Sequence, residues 1–365
     1  MTTVFEELCR KEHEQVVFCQ DKATGLRAII AIHDTTLGPA LGGTRMWAYP
    51  DEASALRDVL RLSRGMTHKS AAAGLNLGGG KAVIIGDAKT MKDEMLFRAY
   101  GRFVHGIGGR YITAEDVNTT VRDMEWVRME TEHVVGISRA LGGSGDPSPV
   151  TALGVYEGIK ASLKWVTGSE SVSGRTVAVQ GVGAVGAHLT QHLVDGGAKV
   201  VVADIDAENV KRVTARSPGV EAVAADGIYD VPCDVFAPCA LGAVVNDDTL
   251  KRLKCQIIAG SANNVLADED RHSEELARRS IVYAPDYVVN AGGLINVANE
   301  LEGYNRSRAL TQAAAIYDIT TQILRLSRDE GVTTLQAANA IAERRISALG
   351  RIKKTWVATR PQRRR

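Results

Sequence analysis

The pattern of apolar and polar positions changes character part-way along the chain. Near the start, Gln15–Cys19 and Leu26–Ile32 are short apolar runs that read as strands. The turn-forming Asp21-Lys22-Ala23-Thr24-Gly25 between them predicts a hairpin. A helix is predicted from Asp51, a suitable N-cap, because Ala55, Leu56, Val59, Leu60 and Ser63 fall on one stripe. Gly78-Gly79-Gly80 reads as a turn before a strand Ala82–Ile85, and Arg110–Thr113 as a further strand. From about residue 150 the pattern becomes a regular alternation. Strands Thr176–Gln180, Lys199–Ala203, Val235–Ala237, Gln256–Ala259 and Ile281–Ala284 are interleaved with helical stretches. Such alternation predicts an α/β fold with a parallel sheet covered by helices. Beyond Asn290 the chain is strongly helical. Gly331 is placed to end one long helix, and Thr333-Thr334-Leu335-Gln336 resembles a capping box opening the next. No repeat and no linker interrupts this, so the boundary between two domains is set near 135–150 by the change of pattern alone.

Composition adds exclusions. A chain of 365 residues suits two cores better than one. With 36 glycines and only 9 prolines, tight turns and close backbone approaches are favoured over disordered linkers. The 44 basic and 43 acidic residues leave a net charge of +1, which gives no reason to expect nucleic acid or an anionic membrane as partner. Four arginines in Arg360–Arg365 read as a solvated terminus. The cysteines Cys9, Cys19, Cys233, Cys239 and Cys255 are odd in number and form no Cys-x-x-Cys, which fits reduced thiols in a cytoplasmic protein. No basic segment leads an apolar run at the N-terminus, and no apolar run approaches membrane-span length.

Chemistry enters at Gly181-Val182-Gly183-Ala184-Val185-Gly186. Alone, a Gly-x-Gly-x-x-Gly is weak, but here the required context surrounds it. The strand Thr176–Gln180 precedes it, Val185, Leu189 and Leu193 begin an amphipathic helix, and the next strand ends at Asp204. Gly181 would permit the tight turn, Gly183 the approach of a pyrophosphate, and Gly186 close packing of helix on strand. Asp204 can accept hydrogen bonds from ribose hydroxyls and repels a 2′-phosphate, while Ile205 and Asp206 bring no compensating cation. NAD is therefore expected over NADP. Val182, Ala184, Val185 and Ala187 complete the cofactor-binding loop and helix start. Pro238–Gly242 with Ala240, Gly260–Asn264 with Asn263, and Asn290–Gly293 are loops of small and amide residues at later strand ends, where a carboxamide ring could sit.

In the first half, Lys69, Lys81 and Asp116 stand out as charges among apolar or glycine neighbours. Lys81, held between the glycines and a strand, is a candidate base. Desolvation and a second cation nearby would both lower its pKa. Solvated lysines and a capping aspartate remain the plainer alternative for these residues.

The chain resembles the glutamate/leucine/phenylalanine/valine dehydrogenase family, most closely its members acting on leucine. The matching stretches are Gly38–Met46, the two lysine segments, Thr113–Thr120, Ser148–Ala152, Gly181–Gly186, Gly260–Asn264 and Asn290–Gly293. The resemblance implies two domains facing a cleft. One is an α/β substrate-binding and oligomerisation domain, residues 1–140 joined by a C-terminal helix 333–365. The other is a Rossmann-type NAD-binding domain, residues 141–332. It implies oxidative deamination of a small apolar L-amino acid to its 2-oxo acid and ammonia, without a metal, by a homo-oligomer, an octamer in the leucine branch. Lys69 would bind the substrate carboxylate, Lys81 act as base toward water, and Asp116 exchange protons with substrate nitrogen and oxygen. Asn263 and Asn290 would contact the nicotinamide end, with Thr151 beside its carboxamide. The substrate side chain would meet Leu41, Gly42, Met66, Ala114, Leu294 and Val297, and Asn118 is counted with this site. Leu41 stands where glutamate-specific members carry a lysine, so glutamate is not expected. Gly80, Asn118 and Leu294 resemble the phenylalanine branch instead, which keeps phenylalanine as the alternative substrate.

Other classes fit less well. His188 and His192 have zinc-compatible spacing on one helix but no evident third ligand. An NAD(H)-sensing protein would need neither Lys69 nor Lys81. A 2-hydroxy-acid dehydrogenase would use a catalytic histidine, for which His68 is the nearest candidate.

Overall fold

The computed structural model describes residues 4–10 and 12–352. After α1 (Val4–Arg10), the predicted hairpin forms from β1 (Gln15–Asp21) and β2 (Leu26–Asp34), antiparallel with Asp21 opposite Leu26. The Asp21 carboxylate accepts from Thr24 N at 2.8 Å and closes the turn. Next come β3 (Ala40–Trp47) and α2 (Glu52–Ala72), whose cap Asp51 accepts from Ser54 N at 2.6 Å as the sequence predicts. They are followed by β4 (Gly78–Ile85), α3 (Glu94–Gly106), β5 (Tyr111–Glu115) and α4 (Val121–Arg128). The strands make one mixed sheet of order β1-β2-β4-β3-β5, with β3 parallel to both its neighbours. The two-residue period of a strand assigns its faces. Ile29 and Ala31 of β2 pack against Val59 and Leu60 of α2, and Ile30 and Ile32 lie in the core with Phe97 and Tyr100 of α3.

Two features of this sheet correct the sequence reading. Gly78-Gly79-Gly80 is no turn but the beginning of β4, whose residues are all buried. A side chain at Gly79 would come within 2.6 Å of Ser63 O in α2, so glycine lets the helix press directly on the strand. Strand β3, which lies between β4 and β5, is not foreshadowed by the apolar pattern, because Gly42-Gly43 interrupts any strand-like apolar run.

The remaining chain forms α5 (Ser148–Thr167), β6 (Thr176–Gln180), α6 (Ala184–Asp195), β7 (Lys199–Ala203), α7 (Ala207–Arg216), β8 (Glu221–Ala222) and β9 (Val235–Pro238). Then follow β10 (Ile257–Ile258), α8 (Glu269–Arg278), β11 (Val282–Tyr283), α9 (Asp286–Val289), α10 (Gly292–Ala298), α11 (Arg306–Ala314), α12 (Ile316–Glu330) and α13 (Thr334–Ile352). Strands β6 and β7 match their predicted spans residue for residue, whereas β10 and β11 are shorter than the apolar runs that announced them. The sheet is wholly parallel, of order β11-β10-β9-β6-β7-β8. Its order reverses between β6 and β9, the switch point where such sheets bind ligands. The two-domain α/β class expected from the sequence is thus the one observed.

Gly331 ends α12 in the left-handed region at φ 66°. Thr333 and Gln336 cap α13 reciprocally, by Gln336 N to Thr333 Oγ1 at 3.2 Å and Thr333 N to Gln336 Oε1 at 2.9 Å. Helix α13 returns to the first sheet: Ala342 packs with Leu37 and Ala71, and Arg345 donates to Leu75 O at 2.6 Å. The end of the expected 333–365 helix and the Arg360–Arg365 tip lie outside the described residues. No helix among the described residues is long and apolar enough to cross a membrane.

Candidate active site

Adjacent strands of the mixed sheet assemble the charged centre. Lys81 sits within β4 and is only 5% exposed. Its Nζ lies 3.1 Å from Oδ1 of Asp116, the residue that follows β5. Between them, Arg45 of β3 donates from Nε to Asp116 Oδ2 at 3.1 Å, and its other arm reaches Asp58 Oδ2 at 3.0 Å. Burial pushes the Asp116 carboxyl upward, but Lys81 and Arg45 outweigh it and hold the group below the usual carboxylate range. The turn behind Asp116 is fixed by its own N donating to Thr119 Oγ1 at 2.8 Å.

Lys69, near the end of α2, is half-buried and donates to Asn263 Oδ1 at 3.3 Å. Burial is the main cause that brings its pKa down to about 8, with repulsion from Lys81 adding to it while Asp286 and Asp116 oppose. The sequence placed its lowered lysine at Lys81, whereas the lysine lowered by burial in the structure is Lys69. Asn263 Oδ1 also accepts from Asn290 Nδ2 at 2.8 Å.

Apolar residues line the same place. Leu41 of β3, Ala114 of β5, and Leu294 and Val297 of α10 belong to one buried cluster, with Met66 of α2 packed against it. Gly42 faces Met66, whose Cγ would lie 3.4 Å from a side chain there. Of the side-chain-pocket residues read from sequence, Asn118 alone is not brought into this cluster. It is exposed, sits in the left-handed region at φ 62°, and donates from Nδ2 to Met46 O at 3.1 Å. That conformation explains why glycine suits the position, and its side chain braces the turn beside Asp116.

At the other end of the crevice, Gly181 turns at φ 88° and Gly183 precedes α6 with open space where a side chain would be. Gly186 packs on the loop, since a Cβ there would lie 3.0 Å from Gly181 C. The first N–H groups of α6, which include those of Ala184 and Val185, have no intrahelical partner by geometry; Ala187 N already donates to Gly183 O. Ala240 lies against Gly181. Asp204 directly follows β7 and accepts from Val182 N at 2.8 Å and Asp206 N at 2.9 Å. Thr151, at the start of α5, and Gly293 of α10 are adjacent, and Asn290 is buried with its Oδ1 lacking a hydrogen-bond partner. An open phosphate cradle at one end and an orphaned buried acceptor at the other fit a nicotinamide dinucleotide.

Sequence reasoning missed three residues. Arg45 is a charge among apolar neighbours, the same signal that singled out Lys81. Arg212 of α7 reaches back to Val182 O at 3.4 Å and Asn209 Oδ1 at 2.8 Å, bringing a cation toward Asp204 that the adjacent Ile205 and Asp206 do not supply. Asp286 had no signal beyond its place before Asn290. The helix bearing His188 and His192 offers a simpler role for the second histidine, whose ring stacks on Tyr156 with centroids 5.5 Å apart.

Comparison with known proteins is consistent along the whole chain. The description "Glu/Leu/Phe/Val dehydrogenase, dimerisation domain" matches residues 13–133, and "Glutamate/Leucine/Phenylalanine/Valine dehydrogenase" matches 142–210 and 202–355. Leucine dehydrogenase of Bacillus cereus is 56% identical, covering 97% of this chain and 96% of its own. Phenylalanine dehydrogenase of Bacillus thermotolerans is 48% identical, over 96% of this chain and 92% of its own. The crystal structure of L-tryptophan dehydrogenase from Nostoc punctiforme superposes with a TM-score of 0.84 at 46% identity, covering 95% of this chain and 99% of that one.

Proposed function

The chain belongs to the glutamate/leucine/phenylalanine/valine dehydrogenase family and is an amino-acid dehydrogenase, and from that premise we propose that it oxidatively deaminates a branched-chain L-amino acid, leucine foremost, with NAD as hydride acceptor. The observation that carries the substrate is the cluster of Leu41, Ala114, Leu294 and Val297 next to two lysines and Asp116, all of its members apolar. A buried side-chain carboxylate would find no partner there.

In this reading Lys69 holds the substrate carboxylate and so fixes Cα in the cleft. Asn263 and Asn290 would contact the nicotinamide end of the cofactor, with Thr151 beside its carboxamide, and the ring would supply the hydride acceptor. As hydride leaves Cα, the substrate becomes an iminium. Lys81 takes a proton from the water that adds to it. Asp116 takes a proton from the substrate ammonium before hydride leaves, returns it to the nitrogen of the carbinolamine, and accepts the hydroxyl proton as ammonia departs and the 2-oxo acid remains. Arg45 keeps Asp116 aligned through these steps. The identity to leucine dehydrogenases supports leucine, while Leu294, Gly80 and the identity to a phenylalanine dehydrogenase favour phenylalanine as second reading.

The test is NADH consumption with ammonia and a panel of 2-oxo acids. 4-Methyl-2-oxopentanoate should be the better substrate, and faster turnover of phenylpyruvate would sink the leucine assignment. Leu294→Ala should move kcat/KM toward phenylpyruvate by about 1–3 kcal/mol.

Cofactor choice gives a second expectation. Asp204 disfavours a 2′-phosphate, and Arg212 is already at hand to receive one. Asp204→Ser alone should therefore raise activity with NADP on the order of ten-fold or more, and adding Arg212→Ala should abolish that gain. Equal use of NAD and NADP by the unmodified protein would contradict the role given to Asp204.

The division at 140/141 and the return of the last helix to the first domain are part of this proposal, supported by Ala342 and Arg345 of α13 against the first sheet's helix and loop. So is a homo-oligomer, octameric in the leucine branch, supported by the dimerisation-domain match.

A further inference from the structure

Behind Lys69 lies a buried charge that the proposed chemistry leaves unused. Asp286 opens α9 and is 8% exposed. One carboxylate oxygen accepts from Val265 N at 2.8 Å and the other from Tyr287 N at 2.6 Å. Val265 is two residues beyond Asn263. Asn290 follows α9 directly, and its N donates to Asp286 O at 3.0 Å. The side chains of Asn263 and Asn290 meet each other, and Asn263 meets Lys69. The Asp286 carboxylate therefore fastens the loop of Asn263 to the start of α9, the helix that leads into Asn290, and Asn263 is the amide that meets Lys69. A neutral hydroxyl or amide could accept from Val265 N as well, and burying a charge instead is costly. Burial pushes the Asp286 carboxyl above its usual range, while the Val265 N–H and Lys69 favour its charged form, and that charge in turn attracts Lys69 against the repulsion from Lys81.

We propose that Asp286 is a positioning residue of the substrate-carboxylate site, fixing Asn263 and Asn290 through the backbone and supplying the counter-charge that keeps Lys69 a cation beside a second lysine. The inference rests on Lys69 being the carboxylate-binding group. The groups facing Lys69 are Asp286, Lys81, Asp116 and Asn263. Around Asp286 stand Arg61, Arg64, His68 and Lys69 from α2, Glu269 from α8, Tyr283 from β11, Tyr287 from α9 and Asn339 from α13. His68, which lies 3.7 Å from Glu343, is pulled below its usual pKa mainly by burial and does not titrate above neutrality.

The sign follows directly. Lys69 holds its proton up to a pH of about 8. Removing the negative charge lowers that point, so the ammonium is lost earlier as pH rises. The probe is 4-methylpentanoate, whose carboxylate does not titrate above about pH 6, measured as an inhibitor competing with the 2-oxo acid in the presence of NADH. In the unmodified enzyme its Ki should rise above a pH of about 8. In Asp286→Asn the inflection should move down by about one pH unit, so that inhibition is about ten-fold weaker at pH 9 and within about two-fold at pH 6.5. Asp286→Ser, which keeps an acceptor without the charge, must give the same displacement and carries the test if the Asn variant fails to fold. In Lys69→Arg the inflection should vanish, because a guanidinium stays charged. A Ki raised equally at every pH, or an inflection that does not move, overturns the role of Asp286. If the inflection persists in Lys69→Arg, the carboxylate-binding role of Lys69 fails and the Asp286 assignment with it. If it vanishes there but is unmoved in Asp286→Asn, only the Asp286 assignment fails.

Discussion

Lys81→Ala should lower kcat by about 10²–10⁴-fold, the usual worth of a positioned general base, while NADH binding stays within a factor of about two. Lys81 is buried in β4 and, among the described residues, its Nζ has one anionic partner, Asp116 Oδ1 at 3.1 Å. It belongs to the mixed sheet, whereas the phosphate loop Gly181–Gly186 follows β6 of the parallel sheet, so cofactor affinity has no reason to change. Removing one partner of a buried ion pair ordinarily costs about 3–5 kcal/mol, but Arg45 at 3.1 Å remains to neutralise Asp116 and keeps the variant folded. Lys81→Arg separates charge from basicity. Its guanidinium can pair with Asp116 but cannot give up its proton at working pH, so it should fold and still fail to turn over. Small primary amines added to Lys81→Ala should restore part of the rate. Pre-steady-state turnover and NADH fluorescence titration read the two halves of the prediction. A Lys81→Ala enzyme retaining a tenth of kcat has lost only about 1.4 kcal/mol, and the base would then have to be sought elsewhere.

The sequence announced this chemistry unevenly, and the reasons are physical. Local devices were legible because their partners are close along the chain: the Asp21–Thr24 turn, the Asp51 and Thr333 caps, and the β6–α6–β7 unit with its glycines. Lys69, Lys81 and Asp116 could be picked out because a charge among apolar neighbours is costly without a partner. Pairings across long separations were not legible. Arg45 reaches Asp116, and Asp286 reaches Val265, only once their strands and helix are side by side. Arg212 escaped for a related reason, since the fold back from α7 toward Val182 brings in a cation that the residues adjoining Asp204 lack. The largest error concerned β3 and the start of β4. Strand propensity measures how a side chain fits a pleated surface, and it has nothing to say where the determining fact is the absence of a side chain.

That absence predicts the largest structural effect in the molecule. Gly42→Ala should destabilise the fold by about 3 kcal/mol or more, although alanine is the smallest possible change. The new Cβ would fall onto Gly80 O and lie 2.8 Å from Gly80 C, a contact with backbone that no rotamer can relieve. Neither strand has room to yield. Away from β3, β4 is paired with β2, and on its face it bears α2, where a side chain at Gly79 would already be 2.6 Å from Ser63 O. On the other flank of β3, Tyr111 donates its hydroxyl to Gly42 O at 2.6 Å and ties it to β5. Any accommodation must therefore push β4 away, and Gly80 is followed at once by Lys81. The folded fraction of Gly42→Ala should thus lose activity as well as stability, because the 3.1 Å Lys81–Asp116 contact starts from the strand being displaced and reaches across β3. Gly65→Ala is the control. It adds the same methyl group inside α2 with nothing within 4 Å, and should gain up to about 1 kcal/mol from helix propensity. Urea midpoints at constant slope, with kcat corrected for folded protein, measure both. A Gly42→Ala midpoint equal to that of the unmodified chain would mean that β3 and β4 are free to separate. The close approach of β3 and β4 would then not be what positions the catalytic lysine.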